Sequence, residues 1–177
     1  MRKTGMVLAV LLAFVVRAQA TEAPFICSPP PIPAVIQAED YDIGSEGVAY
    51  HDTTSANLGG SYRTDGVDIE PTTDTGGGYD VGYITNGEWL KYTVNAITSG
   101  SYSVDIRVAS IYSTGAFHLE IDGVNVSGTV HVPSTRGWQN WTTVTVHVGA
   151  VTTGTHVVRE VSDSGKFNIN WFTFNCH

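Results

Sequence analysis

Basic residues are scarce in this chain of 177 residues: nine Lys and Arg stand against seventeen Asp and Glu, a formal net charge of −8. That shortage argues against nucleic acid or an anionic membrane surface as a partner. Long apolar runs are missing too. Val7–Val16 spans about ten residues where a bilayer crossing needs about 20, so no membrane insertion is expected. Cysteine is limited to Cys27 and Cys176, whose places near the ends of the chain read as structural, not nucleophilic. No GxSxG elbow occurs. The six histidines (His51, His118, His131, His147, His156 and His177) form no HExxH pair, which argues against zinc. Gly76-Gly77-Gly78 is followed by no GK[ST], so it reads as a loop and not as a phosphate cradle.

Acids are plentiful, and a glycosidase needs two facing each other across a cleft. Glu46, Glu88, Glu120 and Glu160 supply no such pair by pattern. Glu88 lies between Gly87 and Trp89 in a strand-like block, and Glu120 alternates out of a strand as a solvated residue does. The chain is therefore expected to be non-catalytic.

Met1–Ala20 has the build of a secretory signal peptide: basic Arg2 and Lys3, the apolar run, then Ala18-Gln19-Ala20 as the cleavage site. Its removal leaves six basic residues against seventeen acids, a net charge of −11, so a secreted, extracellular product with a neutral polysaccharide partner is the simplest fit. Residues 21–34 read as a proline-rich spacer around Ser28–Pro33. Residues 35–177 read as one domain, expected to act as a monomer. In an oxidising compartment Cys27 and Cys176 are expected to close a loop that pins the termini together; the alternative is two separate thiols, one pairing between molecules. Asn125-Val126-Ser127 and Asn140-Trp141-Thr142 are glycosylation sequons.

From Val35 onward nothing has helical spacing. Tyr102, Val104, Ile106 and Val108 alternate with Ser103, Asp105 and Arg107; Phe117, Leu119 and Ile121 alternate with His118 and Glu120; Val144, Val146 and Val148 alternate with Thr143, Thr145 and His147. This repeated period of two predicts half-buried antiparallel strands. Asp122-Gly123 predicts a two-residue hairpin turn. Ten or eleven strands predict an all-β sandwich of the jelly-roll kind.

A pyranose offers polarised C–H groups that pack on an aromatic face and a rim of hydroxyls that need donors and acceptors. Aromatics beside glycine turns, with a nearby amide, supply that chemistry. The blocks Ile36–Asp42, Glu46–Thr53, Gly59–Glu70, Gly76–Val94, His118–Thr129, Gly137–Val144 and Phe167–Phe174, taken in order, resemble carbohydrate-binding module family 6. The resemblance spans Val35–Phe174 and implies a calcium-containing β-jelly roll with a sugar cleft in the loops at one end. Carried over by position, it implies Tyr83, Trp138 and Asn168 as binding residues, with a further polar residue from the loop after Ile36–Asp42 for which His51 and Asp52 are the candidates. Trp89, Tyr92, Trp141 and Trp171 are expected in the core or in structural packing, while Tyr50, Tyr62 and Tyr112 lie in or beside loops and are candidates to extend the cleft.

Gln37 and Glu39, two apart on the first strand, are expected to share a face, and calcium takes six to eight oxygen ligands. The resemblance implies a structural calcium held by Gln37, Glu39 and Asn170. Relatives of this style accompany enzymes acting on β-1,3-glucans, agarose, xylan and mixed β-glucans. A neutral β-glucan or galactan is the expected ligand. The alternatives are an ancillary module of a polysaccharide-degrading enzyme and a structural or adhesive extracellular protein.

Overall fold

The structure, a computed structural model, describes residues 21–177; the signal-peptide reading of Met1–Ala20 lies outside the described residues. The strands are β1 (Pro31–Ile32), β2 (Val35–Gln37), β3 (Tyr50–His51), β4 (Ile69–Pro71), β5 (Tyr79–Val81), β6 (Trp89–Ala96) and β7 (Gly100–Ser110). They continue with β8 (Ala116–Ile121), β9 (Val124–Asn125), β10 (Val130–His131), β11 (Gly137–Val151), β12 (Gly154–Ser164) and β13 (Asn168–Cys176). One 3-10 turn, Ala38–Asp40, follows β2.

Two sheets form a sandwich. One runs β1-β6-β12-β8-β10, with β3 added to β6 and β9 to β8; the other runs β11-β7-β13-β5-β4, with β2 added to β13. The alternation read from the sequence is the reason these segments pack. Tyr102, Val104, Ile106 and Val108 turn one face of β7 inward and are fully buried, as are Phe117 and Leu119 of β8. Each such side chain contributes about 1.5–3 kcal/mol by leaving water. Asp122 (φ 51°) and Gly123 (φ 79°) make the hairpin turn between β8 and β9, both in the left-handed region that a two-residue turn of this type requires.

The expected spacer belongs to the sandwich. Pro31 and Ile32 pair in parallel with Asn95 and Ala96 of β6, Ile32 is buried in the core, and Ala23 bridges Ile43. A run of prolines on a sheet edge needs few ladder donors, so an edge strand accepts it. The expected Cys27–Cys176 bridge is not formed, and both cysteines are free. Cys27 sits in an exposed turn closed onto Pro24, whereas Cys176 ends β13 opposite Tyr102 and beside Gly100. Glu160 is also no candidate for surface chemistry. It points into the core from β12, its Oε1 has no hydrogen-bond partner, and burial pushes its carboxyl up to about 8.

Candidate functional site

The loops at one end of the sandwich enclose a cleft of about 440 Å³ lined by Tyr83, Ile84, Thr85, Trp138, Lys166 and Asn168, with Glu70, Gln139 and Phe167 completing it. Tyr83 comes from the loop between β5 and β6, Trp138 from the start of β11, and Asn168 from the start of β13. The three residues expected at a sugar site are thus brought together. Tyr83 is 51% exposed and Trp138 39%, large values for aromatics beside a well-formed core, whereas Asn168 is 2% exposed.

The cleft floor is a hydrogen-bonded network. Asn168 Nδ2 donates to Glu70 Oε1 and to Asp80 Oδ1, both at 3.0 Å. Gln139 Nε2 donates to the same Glu70 oxygen at 3.0 Å and to Asp80 Oδ2 at 2.8 Å, while its Oε1 accepts the Thr73 N–H at 2.9 Å. Both N–H groups of Asn168 are committed, which fixes the amide's orientation and leaves Oδ1 as an acceptor. Glu70 and Asp80 are paired across β4 and β5. Burial, reinforced by the Glu70 charge, pushes Asp80 up to about 7 against the opposing pull of the two amides. Gly82 makes the close approach possible: a Cβ there would stand 3.2 Å from Asn168 Nδ2 and 3.3 Å from Glu70 Oε1.

The walls are held by polar ties. Thr85 N–H donates to Glu88 Oε2 at 2.7 Å, and Glu88 Oε1 accepts from Thr53 N–H at 3.0 Å and from the Thr53 hydroxyl at 2.7 Å. Glu88 therefore positions two loops and does not line the cleft itself. On the other wall Tyr112 meets the Trp138 ring edge-on at 5.8 Å. Tyr83 (φ 53°), Arg136 (φ 65°) and Lys166 (φ 74°) all adopt left-handed backbone, a concentration of strain characteristic of binding loops.

His51 and Asp52 do not line this cleft. His51 Nδ1 pairs with Glu46, the Asp52 N–H donates to Glu46 Oε2 at 3.0 Å, and Asp52 Oδ1 accepts the Thr54 N–H at 2.7 Å. They close their own loop, whose next residue, Thr53, braces Thr85 from behind at 2.8 Å. Asp52 lines a separate depression with Glu46, Tyr50 and Gly66. Of the loop tyrosines, Tyr112 extends the cleft wall, Tyr50 is buried edge-on against Tyr41, and Tyr62 stacks on Phe25 and Tyr79. Glu70, Gln139 and Lys166 escaped sequence reasoning. Gln139 alone shared a block with an expected cleft residue, Trp138; Glu70, at the end of its block, and Lys166, just before the last block, carried no such signal. Of the aromatics expected in the core or in structural packing, Tyr92 is in the core, Trp141 and Trp171 are half-buried, and Trp89 is half-buried on the outer face of its sheet beneath Lys91 and Arg159, whose charged heads lie 5.6 and 5.5 Å from its ring.

Gln37 and Glu39 do not share a strand face. β2 ends at Gln37, which is exposed, and Glu39 lies in the 3-10 turn that follows, where it is buried. Among the described residues no three His, Cys, Asp or Glu side chains converge on a metal position. The expected set instead combines one carboxylate with two amides. Glu39 suits a cation: its Oε2 is buried with no hydrogen-bond partner, and burial pushes the carboxyl up to about 7. Asn170, buried beside Trp171, which pairs with Gln37, donates Nδ2 to Asp74 Oδ2 at 2.9 Å and keeps its Oδ1 as an acceptor.

The family described as Carbohydrate binding module (family 6) matches residues 60–176. The Clotting factor G alpha subunit of Tachypleus tridentatus is 38% identical over 107 residues, 59% of this chain and 16% of that protein. The chain covers between 16% and 29% of the lengths of four curated relatives that it matches. Module CBM6cm-2 of Cellvibrio mixtus lichenase 5A, solved with cellotriose, is 36% identical, with a TM-score of 0.62 over 81% of this chain and 97% of the module. A beta-1,3-glucan binding CBM6 from Bacillus halodurans is 31% identical, with a TM-score of 0.63 over 84% of this chain and 100% of that one.

Proposed function

Because the chain belongs to carbohydrate-binding module family 6, we propose that its end cleft holds a neutral polysaccharide by stacking sugar rings on Tyr83 and Trp138 without acting on it chemically. The observation that carries this reading is two half-exposed aromatics lining one cleft whose floor is a buried, fully oriented amide. The aromatic faces take the apolar side of a pyranose. Asn168 Oδ1 and the free lone pairs of Glu70 accept its hydroxyl protons.

The way the floor acids sit supports non-catalytic binding. Glu70 and Asp80 lie side by side, joined through one Asn168 nitrogen, instead of facing each other across a scissile bond. The ligand class follows relatives solved with cellotriose or described as binding β-1,3-glucan, so a β-glucan is proposed first and a galactan second. The protein is proposed to be secreted, with Met1–Ala20 as the signal peptide, and to work as a monomer. Service as an ancillary module of a larger polysaccharide-degrading protein is the second reading, favoured by how small a part of its curated relatives the chain covers.

Structural calcium belongs to the same proposal. Gln37, Glu39 and Asn170 would hold it, and the ion would supply the charge partner that the buried Glu39 carboxylate lacks. Its part is to fasten the β2 turn to β13.

Titration of the protein with laminarin, cellulose, mixed-linkage glucan, xylan and agarose oligomers, in parallel with Trp138→Ala, tests the reading. At least one glucan or galactan is expected to bind, with a loss of about tenfold or more (~1.4 kcal/mol) in the variant and an unchanged melting curve. Wild-type binding that Trp138→Ala leaves intact would place the sugar elsewhere. No binding to any member would favour a structural or adhesive role.

A further inference from the structure

The six Lys and Arg among the described residues divide unevenly. Four are paired with carboxylates: Arg63 with Asp65 at 2.9 Å, Lys91 with Glu22 at 2.6 Å, Arg107 with Asp74 at 2.7 Å and Arg159 with Glu120 at 2.7 Å. Arg136 and Lys166 have no carboxylate partner, although seventeen acids are available. Lys166 lines the cleft, and Arg136, exposed and outside the lining, precedes the wall residue Trp138 by two positions.

Lys166 is fixed there by its backbone. Its N–H donates to the Ile84 carbonyl at 2.8 Å and its carbonyl accepts the Ser110 hydroxyl at 2.6 Å. The preceding Gly165 lets the chains pass, since a Cβ there would stand 2.3 Å from the Ile84 carbonyl oxygen. The Lys166 ammonium lies 5.2 Å from the Tyr112 ring centre, and Tyr112 in turn buttresses Trp138. A cation is thus mounted on the aromatic wall while the acids line the floor. Charge of opposite sign is separated within one cleft, so hydroxyls suit the floor and an anion suits only the rim.

Resting on the glycan-binding reading above, we propose that Lys166, with Arg136, forms a rim subsite for an anionic substituent on the bound glycan, a sulfate ester or a carboxylate. The stacked ring remains uncharged, and the substituent projects outward from it or from its neighbour along the chain. The neutral sugar backbone of the reading above is kept, and a glucan or galactan bearing a sparse anionic substituent is held more tightly than its unsubstituted parent. This selects a local charge despite the acidic surface as a whole, because only charges within about 10 Å act strongly at moderate salt.

Calorimetric titration with a neutral oligosaccharide, its sulfated form and its uronate-bearing form tests this, on the wild type and on the Lys166→Met/Arg136→Gln double variant. The readout is the ratio of charged to neutral affinity, so any general distortion of the cleft cancels. At low ionic strength the ratio is expected to be about fivefold or more for at least one charged form. It falls towards one in about 1 M salt, where the screening length is about 3 Å, and in the double variant. Preference for sulfate alone, for carboxylate alone or for both supports the subsite and identifies its anion. A wild-type ratio of one, or a preference that survives the double variant, overturns it. If neutral binding persists and is lost in Trp138→Ala, the glycan-binding reading stands whatever the ratio; no binding of any form overturns both.

Discussion

Tyr83 shows how one residue trades backbone comfort for presentation. Its φ of 53° turns the ring into the cleft, at a cost of roughly 1–2 kcal/mol for a side chain other than glycine. A Cβ on Gly82 before it would crowd the floor network at 3.2–3.3 Å, so the turn has little room on that side. Glycine at position 83 would relieve that strain while removing the stacking face. Tyr83→Gly is therefore expected to lower glycan affinity about tenfold or more while costing less than about 1 kcal/mol of stability, because the relieved strain offsets lost burial and added chain entropy. Parallel thermal melts and binding titrations check this. A large drop in melting temperature would mean that Tyr83 serves the fold.

Among the elements, the strands supply the frame and the loops the chemistry. The β4–β5 pair provides the acidic floor, the β5–β6 loop and the start of β11 provide the aromatics, and the start of β13 provides the amide. β13 matters twice, since Asn168 opens the cleft floor and Asn170, two residues on, lies beside the segment that pairs with β2. A calcium ion tying that segment down would make chelation a global event. With calcium at about a hundredfold over its Kd the bound state gains ~2.7 kcal/mol, so EDTA should lower Tm by about 5–10 °C. Glu39→Gln should lose most of this response. Superimposable melting curves with and without EDTA would remove calcium from the account.

At the scale of the whole molecule, most of the sandwich was legible because its long strands are half-buried and alternate with period two. β7, β8 and the Asp122-Gly123 turn fall where the pattern places them. The edges were less so. Pro31 and Ile32 look like a spacer because proline signals extended, unpaired chain, and nothing local shows that Ile32 reaches the core. Cleft residues with a conspicuous chemistry, Tyr83, Trp138 and Asn168, were readable from motif position. Gln139 and Glu70 were not, since an amide and an acid look the same in sequence whether they face water or each other. Loop polar pairs such as His51 and Asp52 were misplaced because they satisfy one another locally through Glu46.

A crystal structure of the protein with a bound β-glucan trisaccharide, cellotriose or its β-1,3-linked counterpart, tests the central claim most directly. A pyranose ring packed on Tyr83 and Trp138, with one hydroxyl donating to Asn168 Oδ1, is the predicted result. A sugar seated on the Trp89 face, or an empty cleft at saturating ligand, would contradict it.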